Sequence, residues 1–220
     1  MPYIIVFEGI DGSGKSTQVK FLSEYLKSLG FRVLTESWFS NKYAIELLDS
    51  YSKLSNANGT TGALIIACEF TIRYHKIIND ADDKTIIIFD RYIYTPFVRD
   101  TIRGAGIDML REIYGFAKSP NITLYLSILP ELAVMRKSKG ELRFFESGMD
   151  VYSDISYPSF CKNKNFNTAK ECFLRFQNEV ISRYSALPEY KNNFIQIDSN
   201  DLPEQIFSNI KGHVNNALGI

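Results

Sequence analysis

Apolar residues in this chain follow two rhythms: short unbroken runs, and longer stretches in which they recur every third or fourth position. Tyr3-Ile4-Ile5-Val6-Phe7 is an unbroken run, the pattern of a strand covered on both faces, and it predicts the central strand of a parallel sheet. Past a glycine-rich turn, Val19, Leu22, Leu26 and Leu29 recur at helical spacing from a start near Lys15, and Gly30 supplies a stop. Phe31 to Glu36, Thr85 to Phe89, Ile122 to Ile128 and Phe194 to Ile197 predict four further strands, with helical segments between them. A long helix is expected from Thr61 to about Ala81, with Leu64, Cys68 and Ile72 on one stripe and Glu69, Phe70 and Arg73 on another face. For the last helix the start signal is Asp201, with Glu204 three residues on and Pro203 in the first turn; Ile206, Ile210 and Val214 give its buried stripe.

Strands alternating with helices imply right-handed crossovers and an α/β fold, a five-stranded parallel sheet with helices on both faces. Ligands of such sheets sit beyond the carboxyl ends of the strands. No repeat or low-complexity linker divides the chain, so residues 1–220 are expected to form one domain. The polar stretch from Lys137 to Asn167, broken by glycine and proline, reads as a mobile insert, with a lid segment at about 137–158.

Composition narrows the classes. A chain of 220 residues, 45% hydrophobic and 23% charged, has ample material for one core. Twenty-five Lys and Arg balance twenty-five Asp and Glu, so no global field would hold the molecule on nucleic acid or an anionic membrane, and neither is expected as a partner. Three cysteines without C-x-x-C spacing argue against a disulfide framework and a zinc site, and fit a reducing cytoplasm. The run from Tyr3 to Phe7 is too short for a signal peptide, and no stretch approaches a membrane span. A soluble, unprocessed, cytoplasmic protein is expected.

Chemistry enters with Gly9-Ile10-Asp11-Gly12-Ser13-Gly14-Lys15-Ser16, which fits G-x-x-x-x-G-K-[ST] directly after a strand and before a helix. Its glycines let backbone N–H groups turn inward around an anion, and the helix N-terminus adds partial positive charge. Lys15 then reaches the β- and γ-phosphates of ATP while the Ser16 hydroxyl ligates Mg²⁺; residues Gly9 to Ser16, with Thr17, form the expected ATP site. The third strand ends in Asp90-Arg91, and a guanidinium at the sheet edge suits a bidentate grip on a second phosphate. A GTPase switch needs an N-K-x-D element, and Asn41-Lys42-Tyr43-Ala44 fails at its last position.

The run from Phe7 to Gln18, together with Asp90-Arg91-Tyr92, resembles the thymidylate kinase family. The likeness continues at Arg73, at Arg136 after Leu124-Tyr125-Leu126, and in the helical pattern from Phe176 to Leu187. The stretch from Asp90 to Gly104 and the run Phe144 to Asp150 look like an archaeal-type subgroup. The resemblance implies a P-loop nucleoside monophosphate kinase fold, a homodimer, and phosphorylation of a monophosphate such as dTMP by ATP with Mg²⁺. It implies that Asp11 meets the acceptor sugar's 3′-hydroxyl, that Arg73 and Arg91 hold the acceptor phosphate, and that Asp90 orients a magnesium-bound water. Gly12 stands where one branch of the family carries an arginine, so the catalytic cations are expected from the lid: Arg136, Lys137, Lys139 and Arg143. Glu69 stands where the family places a base-stacking Phe, and Thr35-Glu36-Ser37-Trp38 replaces Arg-Glu-Pro.

Arg99 and Arg103, four apart downstream of Asp90-Arg91 and near the same edge, and Thr95 are further acceptor-binding candidates. Since a monophosphate oxygen is already ionised near neutral pH, catalysis there reduces to positioning and charge neutralisation. Each residue also has a plainer reading. Glu69 and Arg73, four apart on a helix, also fit a surface ion pair, and Trp38, Phe39 and Tyr43 either line the acceptor pocket or simply pack. Two other functions compete: a deoxynucleoside kinase with Glu36 as base, and a non-enzymatic nucleotide-dependent switch.

Overall fold

The unbroken apolar runs form one sheet in a computed structural model, which describes residues 1–38, 46–47, 50–51, 59–137, 142–163 and 165–220. Its strands are β1 (Tyr3–Gly9), β2 (Arg32–Ser37), β3 (Thr85–Asp90), β4 (Ile122–Ser127) and β5 (Phe194–Asp198), in the order β2-β3-β1-β4-β5, all pairs parallel. The run Tyr3 to Phe7 is indeed central. Alternate residues of each strand feed two separate cores: Ile4, Val6, Ile87 and Phe89 on one face, Ile5, Phe7, Ile86 and Ile88 on the other. That two-sided burial is the physical reason the strands read as continuous rather than alternating. Register brings Phe7 beside Asp90 and Gly9 beside Leu126, so the carboxyl ends of β1, β3 and β4 meet at one edge.

Helices α1 (Lys15–Ser28) and, at the C-terminal end, Pro203–Leu218 cover the second face through Leu22, Leu26, Ile210 and Val214. Leu29, expected on the buried stripe of α1, is its C-cap and 48% exposed. The opposite layer holds α2 (Gly59–Asn79), α3 (Tyr94–Ile102), α4 (Ile107–Ile113) and α5 (Pro130–Met135). Further along come α6 (Met149–Tyr152), α7 (Tyr157–Lys162), α8 (Phe166–Ala186) and α9 (Pro188–Asn193); the C-terminal helix is α10. Among the described residues no helix is long and apolar enough to cross a membrane.

Two local expectations need correction. On α2 the stripe Leu64, Cys68 and Ile72 faces outward, while Ala63, Ala67, Phe70, Tyr74 and Ile77 are buried. Aromatic bulk decides the side: Phe70 and Tyr74 pack against Phe89 and Tyr92, and Trp38 and Tyr114 also lie on Phe70. At α10 the cap lies one residue later than Asp201 predicts. Leu202 takes the N-cap position, and its N–H donates to Gln205 Oε1 at 3.3 Å. Leucine has no side-chain acceptor, so only half of the reciprocal box forms.

Candidate active site

The turn from Gly9 to Ser16 wraps tightly, and two of its glycines, Gly9 and Gly12, have no room for a side chain. A Cβ on Gly9 would lie 2.6 Å from the Leu126 carbonyl oxygen, and one on Gly12 equally close to that of Ala133 in α5; both residues have positive φ. An arginine at Gly12 therefore has no space in this chain. Lys15 Nζ folds back over the loop, donating to Ile10 O at 2.7 Å, Gly9 O at 3.1 Å and Ser13 Oγ at 3.3 Å. Burial pushes its pKa down to about 7, neighbouring Arg91 pushes the same way, and Asp90, Asp11 and Glu8 act against them. Next to it the Ser16 hydroxyl donates to Asp90 Oδ2 at 2.5 Å, which joins α1 to the end of β3.

Arg91, immediately after β3, has φ 73, and among the described residues it alone of the non-glycines lies at positive φ. Such backbone costs about 1–3 kcal/mol and persists where surrounding structure imposes it. Here its N–H donates to Phe7 O at 2.9 Å. Its guanidinium reaches back over the phosphate loop, to Gly9 O at 3.0 Å and Asp11 Oδ1 at 2.5 Å. Arg99 of α3 donates to Asp11 Oδ2 at 2.5 Å, and Gln177 of α8 both donates to that carboxylate and accepts from the Asp11 N–H. Burial alone would raise the Asp11 pKa, but Arg99, Arg91 and Lys15 hold it well below the usual carboxylate range. Three elements thus meet on one loop carboxylate.

Beneath this cluster sits Glu8, fully buried. It accepts from the Tyr92 N–H at 2.9 Å, Thr95 Oγ1 at 2.9 Å and the Tyr184 hydroxyl at 2.6 Å. Burial raises its pKa, opposed by Arg91 and by these donors. Thr95, an acceptor-binding candidate, is therefore buried and tied to Glu8, with Arg91 Nη1 at 3.5 Å.

Arg73 lies elsewhere. It pairs side-on with Glu69 through Nε and Nη2, donates to Glu36 Oε1 and Ser37 O at 2.5 Å each, and to Trp38 O at 2.6 Å. None of Arg73, Glu69 and Glu36 lines the cleft. The ion pair between Glu69 and Arg73 is present but largely buried rather than on the surface, and it is closed by Glu36 from β2. Glu36, paired with Arg73 and accepting its neighbour Ser37's N–H at 3.0 Å, is not placed as the base a deoxynucleoside kinase needs.

The four lid cations divide by position. Arg136 donates to Ser199 O at 2.8 Å and Asp201 O at 3.4 Å, which ties it to the turn between β5 and α10. Lys137 and Arg143 both reach the Glu146 carboxylate, at 2.8 and 3.7 Å, and Arg143 is 81% exposed. Lys139 lies outside the described residues, as do Phe39 and Tyr43. The segment 137–158 contains α6 and the start of α7 and sinks Leu142, Phe144 and Met149 into the core; 138–141 are outside the described residues.

One cleft of about 2020 Å³ joins these groups. Lys15, Ser16, Asp90, Arg91, Arg99, Arg136 and Arg143 all line it. It is about twice the upper end of the usual range for a single small-ligand pocket, room for two nucleotides. Sequence reasoning missed Glu8, Gln177 and Tyr184. Glu8 left a trace, a carboxylate ending an apolar run; Gln177 and Tyr184 left none, because α8 reaches the loop only in three dimensions.

Residues 7–157 match the family model for thymidylate kinase. A probable thymidylate kinase 2 of Saccharolobus solfataricus is 32% identical over 200 residues, covering 90% of this chain and 88% of the relative. The thymidylate kinase of Chlorobaculum parvum is 30% identical over 218 residues, 94% of this chain and 93% of its own. A probable thymidylate kinase of Pyrococcus horikoshii is 26% identical over 208 residues, 91% and 97% respectively.

Proposed function

This chain belongs to the thymidylate kinase family, and on that premise we propose that it moves the γ-phosphoryl group of ATP onto dTMP, giving dTDP and ADP. It is an ATP-dependent nucleoside monophosphate kinase. The observation that carries the residue assignment is the one cleft lined both by Lys15 and Ser16 and by the Arg91–Asp11–Arg99 cluster. In the reaction an acceptor phosphate oxygen forms the new bond to the γ-phosphorus. The bond from that phosphorus to the β,γ-bridging oxygen breaks, and its electron pair leaves on ADP.

Each residue then has a task. The loop from Gly9 to Thr17 cradles the donor phosphates, Lys15 exchanging its carbonyl partners for phosphate oxygens. Arg91, backed by Arg99, presents the acceptor phosphate, and Asp11 positions both guanidiniums besides meeting the acceptor sugar. Lys137 and Arg143, both held by Glu146, are the lid cations that swing onto the transferring group, while Arg136 braces the donor end. Arg73 acts through the cage it forms behind Trp38 rather than on the phosphate. The Ser16 hydroxyl would hold Mg²⁺, and Asp90, which accepts from that hydroxyl at 2.5 Å, would orient a metal-bound water; the ion would supply neutralisation of phosphate charge.

The protein acts as a cytoplasmic homodimer in this reading, and the outward stripe Leu64, Cys68 and Ile72 on α2 supports a second copy as its cover. The test of function is ADP release with ATP and either dTMP or thymidine. Release with dTMP alone is expected; release with thymidine alone would reverse the assignment to a nucleoside kinase, and release with neither would favour a switch.

A further inference from the structure

Gln177 of α8 is fully buried and does not line the cleft, yet its amide ends on two separate parts of the site. Phe173, Phe176 and Val180 on the same helix are apolar and buried, and an amide among them is costly unless each of its groups is partnered. All are. The amide oxygen accepts from the Asp11 N–H at 3.3 Å, and the two N–H groups donate to Asp11 Oδ2 at 3.2 Å and to the Glu146 carbonyl at 2.9 Å. A backbone donor on one side and a backbone carbonyl on the other fix which way the amide faces.

The two ends differ in chemistry. Asp11 belongs to the phosphate loop and holds Arg91 and Arg99. Glu146 belongs to the lid segment, and its carboxylate holds Lys137 at 2.8 Å and Arg143 at 3.7 Å. Arg99 makes a parallel span, from Asp11 Oδ2 to the Phe145 carbonyl at 3.3 Å, where Arg103, anchored to Asp150, also donates at 2.8 Å. Arg99 is charged and lines the cleft, so an acceptor phosphate competes for it. A neutral buried amide has no such competitor, and Gln177 keeps its hold when anions arrive.

We propose that Gln177 is a positioning residue that fixes the lid cations Lys137 and Arg143 relative to the phosphate loop, so that they meet the transferring phosphoryl group. The inference rests on the assignment of those two cations to the transfer step. Misplacement of a catalytic group by about 1 Å can cost on the order of 100-fold in rate, and the amide is the rigid link between the loop and the carboxylate that carries both cations.

The experiment measures kcat with dTMP, the Kd of ATP and the melting temperature for the wild type, Gln177→Met and Gln177→Glu, each also in a Lys137→Ala, Arg143→Ala background. Methionine keeps the side chain's length and removes all three bonds. Glutamate keeps the acceptor for the Asp11 N–H but turns an oxygen toward Asp11 Oδ2 and the Glu146 carbonyl. With both lid cations present, each substitution is expected to lower kcat by about 30-fold or more, while ATP binds within about threefold of wild type. Without those cations the same substitutions cost less than about threefold, because nothing is left for the amide to place. Equal losses in the two backgrounds, the behaviour of a residue that is only structural, overturn the proposal, as does an unchanged kcat in Gln177→Met. Gln177→Met carries the test should the glutamate variant not fold; a methionine variant that itself fails to fold marks a structural residue and overturns the proposal too. A Lys137→Ala, Arg143→Ala enzyme as fast as the wild type overturns the lid assignment, and the proposal with it.

Discussion

Lys15 shows how a single side chain is prepared for a ligand. In the ligand-free loop its ammonium is buried against carbonyls and beside Arg91, and its pKa falls to about 7. Polyphosphate oxygens restore the charge, so the bound complex keeps the proton to higher pH. The sign follows: below pH 7 the lysine is protonated in both states, and above it binding must take a proton up. Mg-ATP titrations at pH 8, where about nine in ten free lysines of this pKa are neutral, are expected to draw roughly one proton from the buffer. Calorimetry in buffers of different ionisation enthalpy reads this directly; no uptake at pH 8 would contradict the assignment. Residues of this kind were legible because the motif is local. Arg73 was not, since its fate depends on Glu36 arriving from β2 and Glu69 from its own helix, and only the second of these is visible as a spacing.

At the scale of elements, close approach matters more than any ion pair. Gly148, at φ 67, is the N-cap of α6, and a Cβ there would lie 2.6 Å from Phe176 of α8. Phe176 in turn lies beneath Arg99 and Arg103, with guanidinium carbons 5.1 and 4.8 Å from its ring centroid. Gly148→Ala is therefore expected to destabilise the fold by about 1–3 kcal/mol, through strain and overpacking, and to lower turnover by loosening both arginines. Thermal melting and steady-state rates check it; an unchanged melting temperature would show that α6 yields freely. Strand positions were readable within a residue or two, because two-sided burial writes itself as an apolar run. Which face of α2 points inward was not: both faces carry large apolar residues, and the aromatic cluster around Phe70 decides between them.

For the whole molecule, the net charge of zero leaves anion binding to the cleft, which five arginines and two lysines line. The outward stripe of α2 predicts association through apolar contact rather than charge. Ile72, 64% exposed, is the probe: Ile72→Glu is expected to shift a dimer to monomer in sedimentation while leaving the secondary structure unchanged, and a wild type that sediments as a monomer at working concentration would contradict the assembly.

The central claim is that one cleft holds donor and acceptor phosphates together, with Arg91 gripping the second. Calorimetric binding of adenosine and thymidine joined by five phosphates tests it most directly. Arg91→Ala is expected to weaken this ligand by about 30-fold or more, the 2 kcal/mol or so of a lost charged contact, while ATP alone binds within about threefold of wild type. Equal affinity of wild type and Arg91→Ala for the linked ligand would contradict the account.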